Sequence, residues 1–155
     1  MHDEIDLLLM EQLQESAELS HAELGKRCGL SAAGVFKRLA RLRQQGVLIG
    51  TVAVLNREKL GLDLVCVLQV SFKDNMRAAN ISEFREAVQA LPEVLEAYSV
   101  TGSSDALLKV LVPNHSALRD FLRRLAESQD VIGRVETCIV LEEFKETHKL
   151  PLRSL

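Results

Sequence analysis

Residues 20–46 read SHAELGKRCGLSAAGVFKRLARLRQQG, and this stretch decides the fold of the first third of the chain. Ser20 and Glu23 have the spacing of a capping box, in which each side chain satisfies a free backbone amide at a helix start. The helix is expected to end near Cys28, because Gly29 can take the positive φ of a tight turn. The stretch therefore opens with a short, capped helix and a sharp turn.

Further helices are predicted on both sides of that turn. Ser31 is placed to cap a helix that continues to about Gln45. Upstream, Asp3 is placed to cap a helix whose apolar residues recur at three- and four-residue steps, namely Ile5, Leu8, Leu9 and Leu13. Val47–Leu55 is rich in β-formers and predicts a wing or a connecting strand.

The two central helices have the spacing of a DNA-binding helix-turn-helix. Gly25 is small where the helices approach each other, Gly29 makes the turn, and Val35 is apolar on the inward face of the second helix. Helical hairpins that do not bind DNA can share this spacing by chance. The charge of the exposed face therefore has to distinguish the two cases.

The charge of the exposed face favours DNA binding. The whole chain has a net charge of −3, yet residues 24–45 contain six basic residues and no acidic one. Solvated helix faces usually mix signs, whereas a local basic face attracts phosphate. At about 100° per residue, the basic residues lie opposite or beside the buried stripe of Val35, Leu39 and Leu42. The predicted DNA-binding residues are Ser31, Ala32, Ala33, Lys37, Arg38 and Arg41.

Base readout by this helix is predicted to be sparse. Ser31 and the helix N-terminus can hold a phosphate, and an arginine can read guanine. Ala32, Ala33 and Gly34, however, fill the first turn and offer no hydrogen-bonding side chains. Much of the specificity is then expected from DNA shape. An architectural protein that coats DNA with little sequence preference remains the alternative.

The second half alternates strand and helix patterns in the order βαββαβ, which is typical of a ferredoxin-like domain. Strands are predicted at Leu64–Phe72, Val94–Thr101, Ala106–Val112 and Val135–Leu141, with Asn80 or Ser82 capping the first of two helices. The predicted fold class is α+β. A winged helix-turn-helix occupies residues 1–50, a linker 51–62, and a ferredoxin-like domain for dimerisation and effector binding 63–155.

The sheet of this second domain is predicted to pair with another copy. Its two helices cover one face, but Leu64–Leu68 and Ala106–Val112 carry apolar residues on both faces. A monomer would expose a large apolar patch, so a sheet-to-sheet homodimer is expected. A two-fold dimer also suits a palindromic site in double-stranded DNA.

The chain resembles the Lrp/AsnC (feast/famine) family of transcription regulators over essentially its whole length. The matching stretches are DEIDLLLMEQLQE, ELGKRCGLSAAGVFKRLARLRQQGVLIG, YSVTGSSDALLKV and VETCIVLEEFKE. The resemblance implies a winged helix-turn-helix joined to an effector-binding RAM (AsnC-type) domain. It also implies dimers that often assemble into octamers, and regulation by an amino acid or a related small metabolite.

In that family the effector lies between dimers, near the turn that here is Gly102-Ser103-Ser104-Asp105. The resemblance implies effector contacts at Gly102, Ser103, Ser104, Asp105 and Thr137. The usual pattern, Gly-Asp-aromatic-Asp, is matched only at Gly102 and Asp105. Ser103 replaces a carboxylate that could pair with an amino group. Either the effector differs from the usual amino acids, or this is a simple polar turn.

An enzyme is the less favoured interpretation. Siroheme decarboxylases share a similar two-domain plan, but their strand pair carries His and Trp motifs that residues 94–112 lack. No catalytic residue and no cofactor is expected. The four histidines lack ligand spacing, so no metal site is expected either.

The three cysteines lie in apolar runs and are expected to be reduced and buried. The acidic N-terminus does not read as a signal peptide, and no apolar run reaches the length of a membrane span. A cytoplasmic protein with no membrane partner is expected.

Overall fold

A computed structural model describes residues 3–73, 78–128 and 130–154. The chain forms two compact units, of which the first combines Met1–Val54 with Lys145–Leu155 and the second is Leu55–Phe144. The last residues, which the sequence pattern assigned to the second domain, thus pack with the first unit. No helix in the described ranges is long and apolar enough to cross a membrane.

The first unit contains helices α1 (Glu4–Glu15), α2 (His21–Cys28) and α3 (Ala32–Gln44). Each begins at the predicted cap. Asp3 accepts from the Asp6 amide at 2.8 Å, Ser20 and Glu23 form the capping box, and Ser31 accepts from the Gly34 amide at 3.1 Å. The buried core of this unit consists of Leu9, Leu24, Cys28, Val35, Leu39 and Leu42.

The prediction of a wing or a connecting strand at residues 47–55 was wrong, because these residues form no strand in the structure. A strand is stable only when its amides and carbonyls pair with a neighbouring strand. Several apolar side chains here are instead exposed, among them Ile49, Val52 and Val54. The following turn contains a short 3₁₀ helix, Glu58–Leu60, in which the Lys59 amide donates to Asn56 Oδ1 at 2.9 Å.

The second unit confirms the βαββαβ order. Its elements are β1 (Leu64–Phe72), α4 (Ala78–Gln89), β2 (Val94–Ser99), β3 (Ala106–Val112), α5 (His115–Ser128) and β4 (Ile132–Ile139). The strands form one sheet in the order β2-β3-β1-β4, and every neighbouring pair is antiparallel. This is the predicted ferredoxin-like arrangement.

Alternate residues of the central strands face the helices and form the core. Cys66, Leu68 and Val70 of β1 are fully buried there, and Leu108 and Val110 of β3 lie beside them. Their sequence neighbours, such as Val67 and Leu107, point to the opposite face, because side chains alternate along a strand. We call that opposite surface the open face of the sheet.

β2 ends two residues earlier than predicted, and β4 begins three residues and ends two residues earlier. Two other local predictions were also wrong. Asn80 and Ser82 lie inside α4 and do not cap it, because the strong helix formers Ala78 and Ala79 continue the helix upstream. Cys138 is exposed, although it was predicted to be buried, whereas Cys28 and Cys66 are buried as predicted.

Candidate nucleic-acid interface and ligand site

The turn between α2 and α3 is a tight backbone approach that the sequence dictates. Gly29 has φ +67°, which glycine adopts without strain. The Leu30 amide donates to the Gly25 carbonyl at 2.8 Å, and a Cβ on Gly25 would lie 2.5 Å from the Leu30 carbonyl oxygen. Only glycine at position 25 lets the two helices meet in this way.

This turn presents the first turn of α3 to solvent. Val35, Leu39 and Leu42 are buried against the rest of the unit, while Ala32 and Ala33 are exposed. The Ser31 hydroxyl accepts from the Gly34 amide, whereas the Ala32 and Ala33 amides have no partner among the described residues and can face an anion. Lys37 is exposed and makes no ion pair with any residue that the structure describes.

The two predicted arginines are instead held by acids of α1. Arg38 Nη1 donates to Asp3 Oδ2 at 2.7 Å and to Asp6 Oδ1 at 2.8 Å. Arg41 Nη2 donates to Asp6 Oδ2. The Arg38 guanidinium lowers the pKa of the Asp3 carboxyl, and that carboxylate in turn raises the pKa of Arg38. We call Asp3, Asp6, Arg38 and Arg41 the arginine clamp.

Asp6 is the member of this clamp that the sequence did not reveal. Its side chain is only 2% exposed, whereas those of Arg38 and Arg41 are 24% and 46% exposed. A buried carboxylate requires paired donors, and here two guanidinium groups supply them. One feature of the sequence could have indicated this role: Asp6 lies three residues before Leu9 and so falls on the inward face of an amphipathic helix, where an acid needs a partner.

In the second unit, the turn after β2 is shaped by Gly102 and Asp105. Gly102 has φ +126°, a conformation that favours glycine. The Asp105 carboxylate accepts the Phe72 amide at 2.7 Å, and the Asp105 amide donates to the Val70 carbonyl at 2.9 Å. Asp105 thus ties the turn to the end of β1.

In the part of the chain that the structure describes, the predicted effector residues lie at more than one place in the second unit. Ser103 and Ser104 line a polar hollow of about 70 Å³, together with Gln69 and Ser71 of β1 and the paired Arg134 and Glu136 of β4. Thr137 pairs in register with Leu68, so it lies on the helix-covered face, whereas Gln69 belongs to the open face.

Asp105 instead lines a separate cavity of about 410 Å³ between α4 and β2. Its walls include Phe72, Phe84, Val88 and Tyr98. This volume, largely apolar with a few polar groups, lies in the size range of small-molecule sites. Among the described residues, no cluster of His, Cys, Asp or Glu could hold a metal ion.

Comparison with known proteins agrees with this two-part organisation. Residues 2–49 match the family model for winged helix-turn-helix DNA-binding, and residues 65–150 match that for the Lrp/AsnC ligand binding domain. The leucine-responsive regulatory proteins of Klebsiella pneumoniae and Escherichia coli are each 34% identical to this chain over 153 residues, or 98% of this chain and 92% of theirs.

Solved structures agree along the whole length. A transcriptional regulator from Neisseria meningitidis, in complex with L-Met, has a TM-score of 0.93 and 28% identity, covering 99% of both chains. An AsnC family regulator from Agrobacterium tumefaciens has a TM-score of 0.94 and 29% identity, with the same coverage. The predicted resemblance is confirmed, and the enzyme alternative is set aside because these relatives are regulators. The chain belongs to the Lrp/AsnC family of DNA-binding transcription regulators.

Proposed function

We propose that the chain is a homodimeric regulator that binds palindromic operators through α3 and responds to a small effector in its second unit. The observation that carries this proposal is the exposed first turn of α3, set on a buried stripe and flanked by basic residues. Such a regulator works where the DNA is, so we place it in the cytoplasm. Residues 1–50 read DNA, 51–62 link the two domains, and the domain predicted at 63–155 dimerises and binds the effector through its part up to Phe144, since 145–155 pack with the first unit.

The proposed DNA contacts are the predicted ones. Free amides at the Ser31 end of α3 bind a phosphate, while Ala32 and Ala33 offer methyl contacts to bases. Lys37 neutralises a phosphate, and Arg38 and Arg41 present the guanidinium donors that their acid partners leave free. In a full-length binding assay, Lys37→Ala should reduce the slope of log affinity against log salt by roughly 0.9 per site.

Dimerisation through the open face is supported by apolar side chains that remain partly exposed there, such as Val67, Leu107 and Leu111. Exposed Ile49 and Val52 add further apolar surface in the first unit. Apolar surface of this kind marks an association site. Sedimentation analysis measures the assembly directly. A dimer that associates further to an octamer is expected, and a monomer at all concentrations would contradict the proposal.

The proposed effector is an α-amino acid or a related metabolite. The named relatives are leucine-responsive, and the Neisseria regulator was solved with L-Met. We propose that Gly102, Ser103, Ser104, Asp105 and Thr137 contribute to effector binding, as predicted, and that a neighbouring protomer supplies further contacts. A thermal-shift screen of amino acids tests this, because a ligand of the folded state raises its stability.

A second candidate, an architectural DNA-coating protein, is favoured by one observation. The first turn of α3 exposes Ala32 and Ala33, which cannot hydrogen-bond to bases. Footprinting separates the candidates. Discrete protected sites indicate a regulator with selected operators, whereas uniform protection at similar protein concentration on every sequence indicates coating.

A further inference from the structure

We propose that Asp6 is a positioning residue for DNA recognition, which holds the Arg41 guanidinium in the orientation that reads a base edge. The inference rests on the proposed function, because it assumes that α3 is the DNA-reading helix. Asp6 contacts no DNA itself. It acts through Arg41, with Asp3 and Arg38 completing the arginine clamp.

The first step is the geometry around Asp6. Its two carboxylate oxygens are divided between the arginines, with Oδ1 accepting from Arg38 and Oδ2 from Arg41. The Asp6 side chain is 2% exposed, so water cannot replace these donors. Because a buried carboxylate left unpaired is strongly unfavourable, both guanidinium groups are held beside α1.

The second step is the difference between the two arginines. The Arg38 guanidinium also bonds both oxygens of Asp3, at 2.9 and 2.7 Å, and only 24% of its side chain is exposed. Arg41 donates from one nitrogen to Asp6, and 46% of its side chain is exposed. A guanidinium has five N–H donors in a planar fork. Arg41 therefore keeps donors that face solvent, while Arg38 mainly ties α1 to α3.

The third step is the position of Arg41 on α3. Arg41 lies one helical turn beyond Lys37, on the side of α3 away from the buried stripe of Val35, Leu39 and Leu42. A guanidinium fixed on one edge by a carboxylate loses little further freedom when its other edge binds a base. An arginine whose charge is already matched by a carboxylate also displaces few counterions. Arg41 is thus suited to read a base edge, and Lys37 to bind a phosphate.

The test is a double-mutant cycle on the full-length protein, using a duplex selected by the wild-type protein from a random pool. Asp6→Asn is expected to weaken binding to this duplex roughly three- to tenfold, from typical coupling energies between contacting residues. In the Arg41→Gln background the same substitution should change affinity less than twofold, because the residue it acts through is gone. A purely structural role for Asp6 would give equal losses in both backgrounds and would overturn the inference.

Glu11→Gln is the matched control. It removes another carboxylate of α1, and Glu11 accepts from Arg153 of the tail and from no arginine of α3 in the part of the chain that the structure describes. This variant should therefore bind the selected duplex within about twofold of wild type. A loss as large as that of Asp6→Asn would show that the charge of α1, and not the orientation of Arg41, is what matters.

Arg41→Lys keeps the experiment decisive even if Asp6→Asn does not fold. A lysine keeps the charge but has no fork, so it cannot bond Asp6 and a base together. We expect roughly tenfold weaker binding to the selected duplex, with unchanged salt slope and unchanged binding to random DNA. Unaltered specific affinity would overturn the inference. Lys37→Ala distinguishes failure of this inference from failure of the proposed function. If both Arg41→Lys and Lys37→Ala leave the affinity and the salt slope unchanged, α3 is not the DNA-reading helix.

Discussion

Replacing Gly25 by alanine probes the contact on which the helix-turn-helix depends. A Cβ at this position would lie 2.5 Å from the Leu30 carbonyl oxygen and 3.4 Å from its carbon. Both atoms belong to the backbone of the turn, so no flexible side chain can move aside. The substitution therefore has to push α2 away from the turn that leads into α3. This movement would lengthen or break the hydrogen bond from the Leu30 amide to the Gly25 carbonyl.

Two opposing contributions set the magnitude. Alanine in a helix interior is favoured over glycine by about 1 kcal/mol. Overpacking a closed contact costs about 1–3 kcal/mol, and a strained or lost backbone hydrogen bond adds about 1 kcal/mol. The expected net loss is about 1–3 kcal/mol, which lowers the melting temperature by roughly 2–4 °C per kcal/mol in a chain of this size.

Urea unfolding followed by helical circular dichroism measures this loss, and DNA binding at a temperature where the variant stays folded measures its effect on α3. Gly50→Ala is the matched control, because a Cβ there meets nothing within 4 Å and the position has no positive φ. It should change the free energy of unfolding by less than about 0.5 kcal/mol. If Gly25→Ala were as stable as wild type, the close approach would not constrain the fold and the steric argument for position 25 would fail.

Three further predictions concern other parts of the molecule. Asp105→Ala leaves the Phe72 amide without its carboxylate acceptor and should cost about 1–2 kcal/mol in urea unfolding; no loss would mean that the bond is dispensable. Cys138 is exposed on the open face, so its reaction with a thiol reagent should slow as rising protein concentration favours the proposed sheet-to-sheet dimer. Burial raises the pKa of the Cys28 and Cys66 thiols, and these should react only after unfolding. A reaction rate of Cys138 that does not change with protein concentration would argue against that interface. Arg153 donates to Glu11 of α1 and lowers the pKa of that carboxyl, so the tail contact stabilises the fold above the ordinary glutamate pKa of 4.5 and weakens as pH falls below it. Arg153→Gln should therefore lower the melting temperature slightly at pH 7 but not near pH 3, and an equal difference at both would refute the ion-pair account.

Local signals in the sequence were sufficient for most of the fold. The caps Asp3, Ser20 and Ser31 were predictable because their side chains bond amides within three residues, so no distant part of the chain decides them. β1 and β3 were predicted with their observed bounds, since both are continuous apolar runs between turn residues. Residues 47–55 have the same local preference, but the strand did not form because a strand also needs a partner.

The candidate site was predictable only in part, for the same reason. The spacing of Gly25, Gly29 and Val35 is local and identified the helix-turn-helix. Asp6 and Arg41 are 35 residues apart in the sequence, and the spacing of residues along the chain does not predict their pairing. The tail contacts span still more, since Leu150 and Gln14 exchange hydrogen bonds across 136 residues. Such contacts follow from how the helices pack, which periodicity does not specify.

The arginine clamp also changes what the local charge means. Counting along the sequence gives six basic residues and no acid between residues 24 and 45, which suggests six free cations for DNA. Folding brings Asp3 and Asp6 against Arg38 and Arg41, so the charges of these two guanidinium groups are paired with carboxylates of α1. Counterion release depends on unpaired cations, whereas orientation depends on paired ones. Under the proposed function, the acids therefore divide the basic helix into two parts, with Lys37 expected to supply affinity for phosphate and Arg41 expected to supply the geometry of base contact.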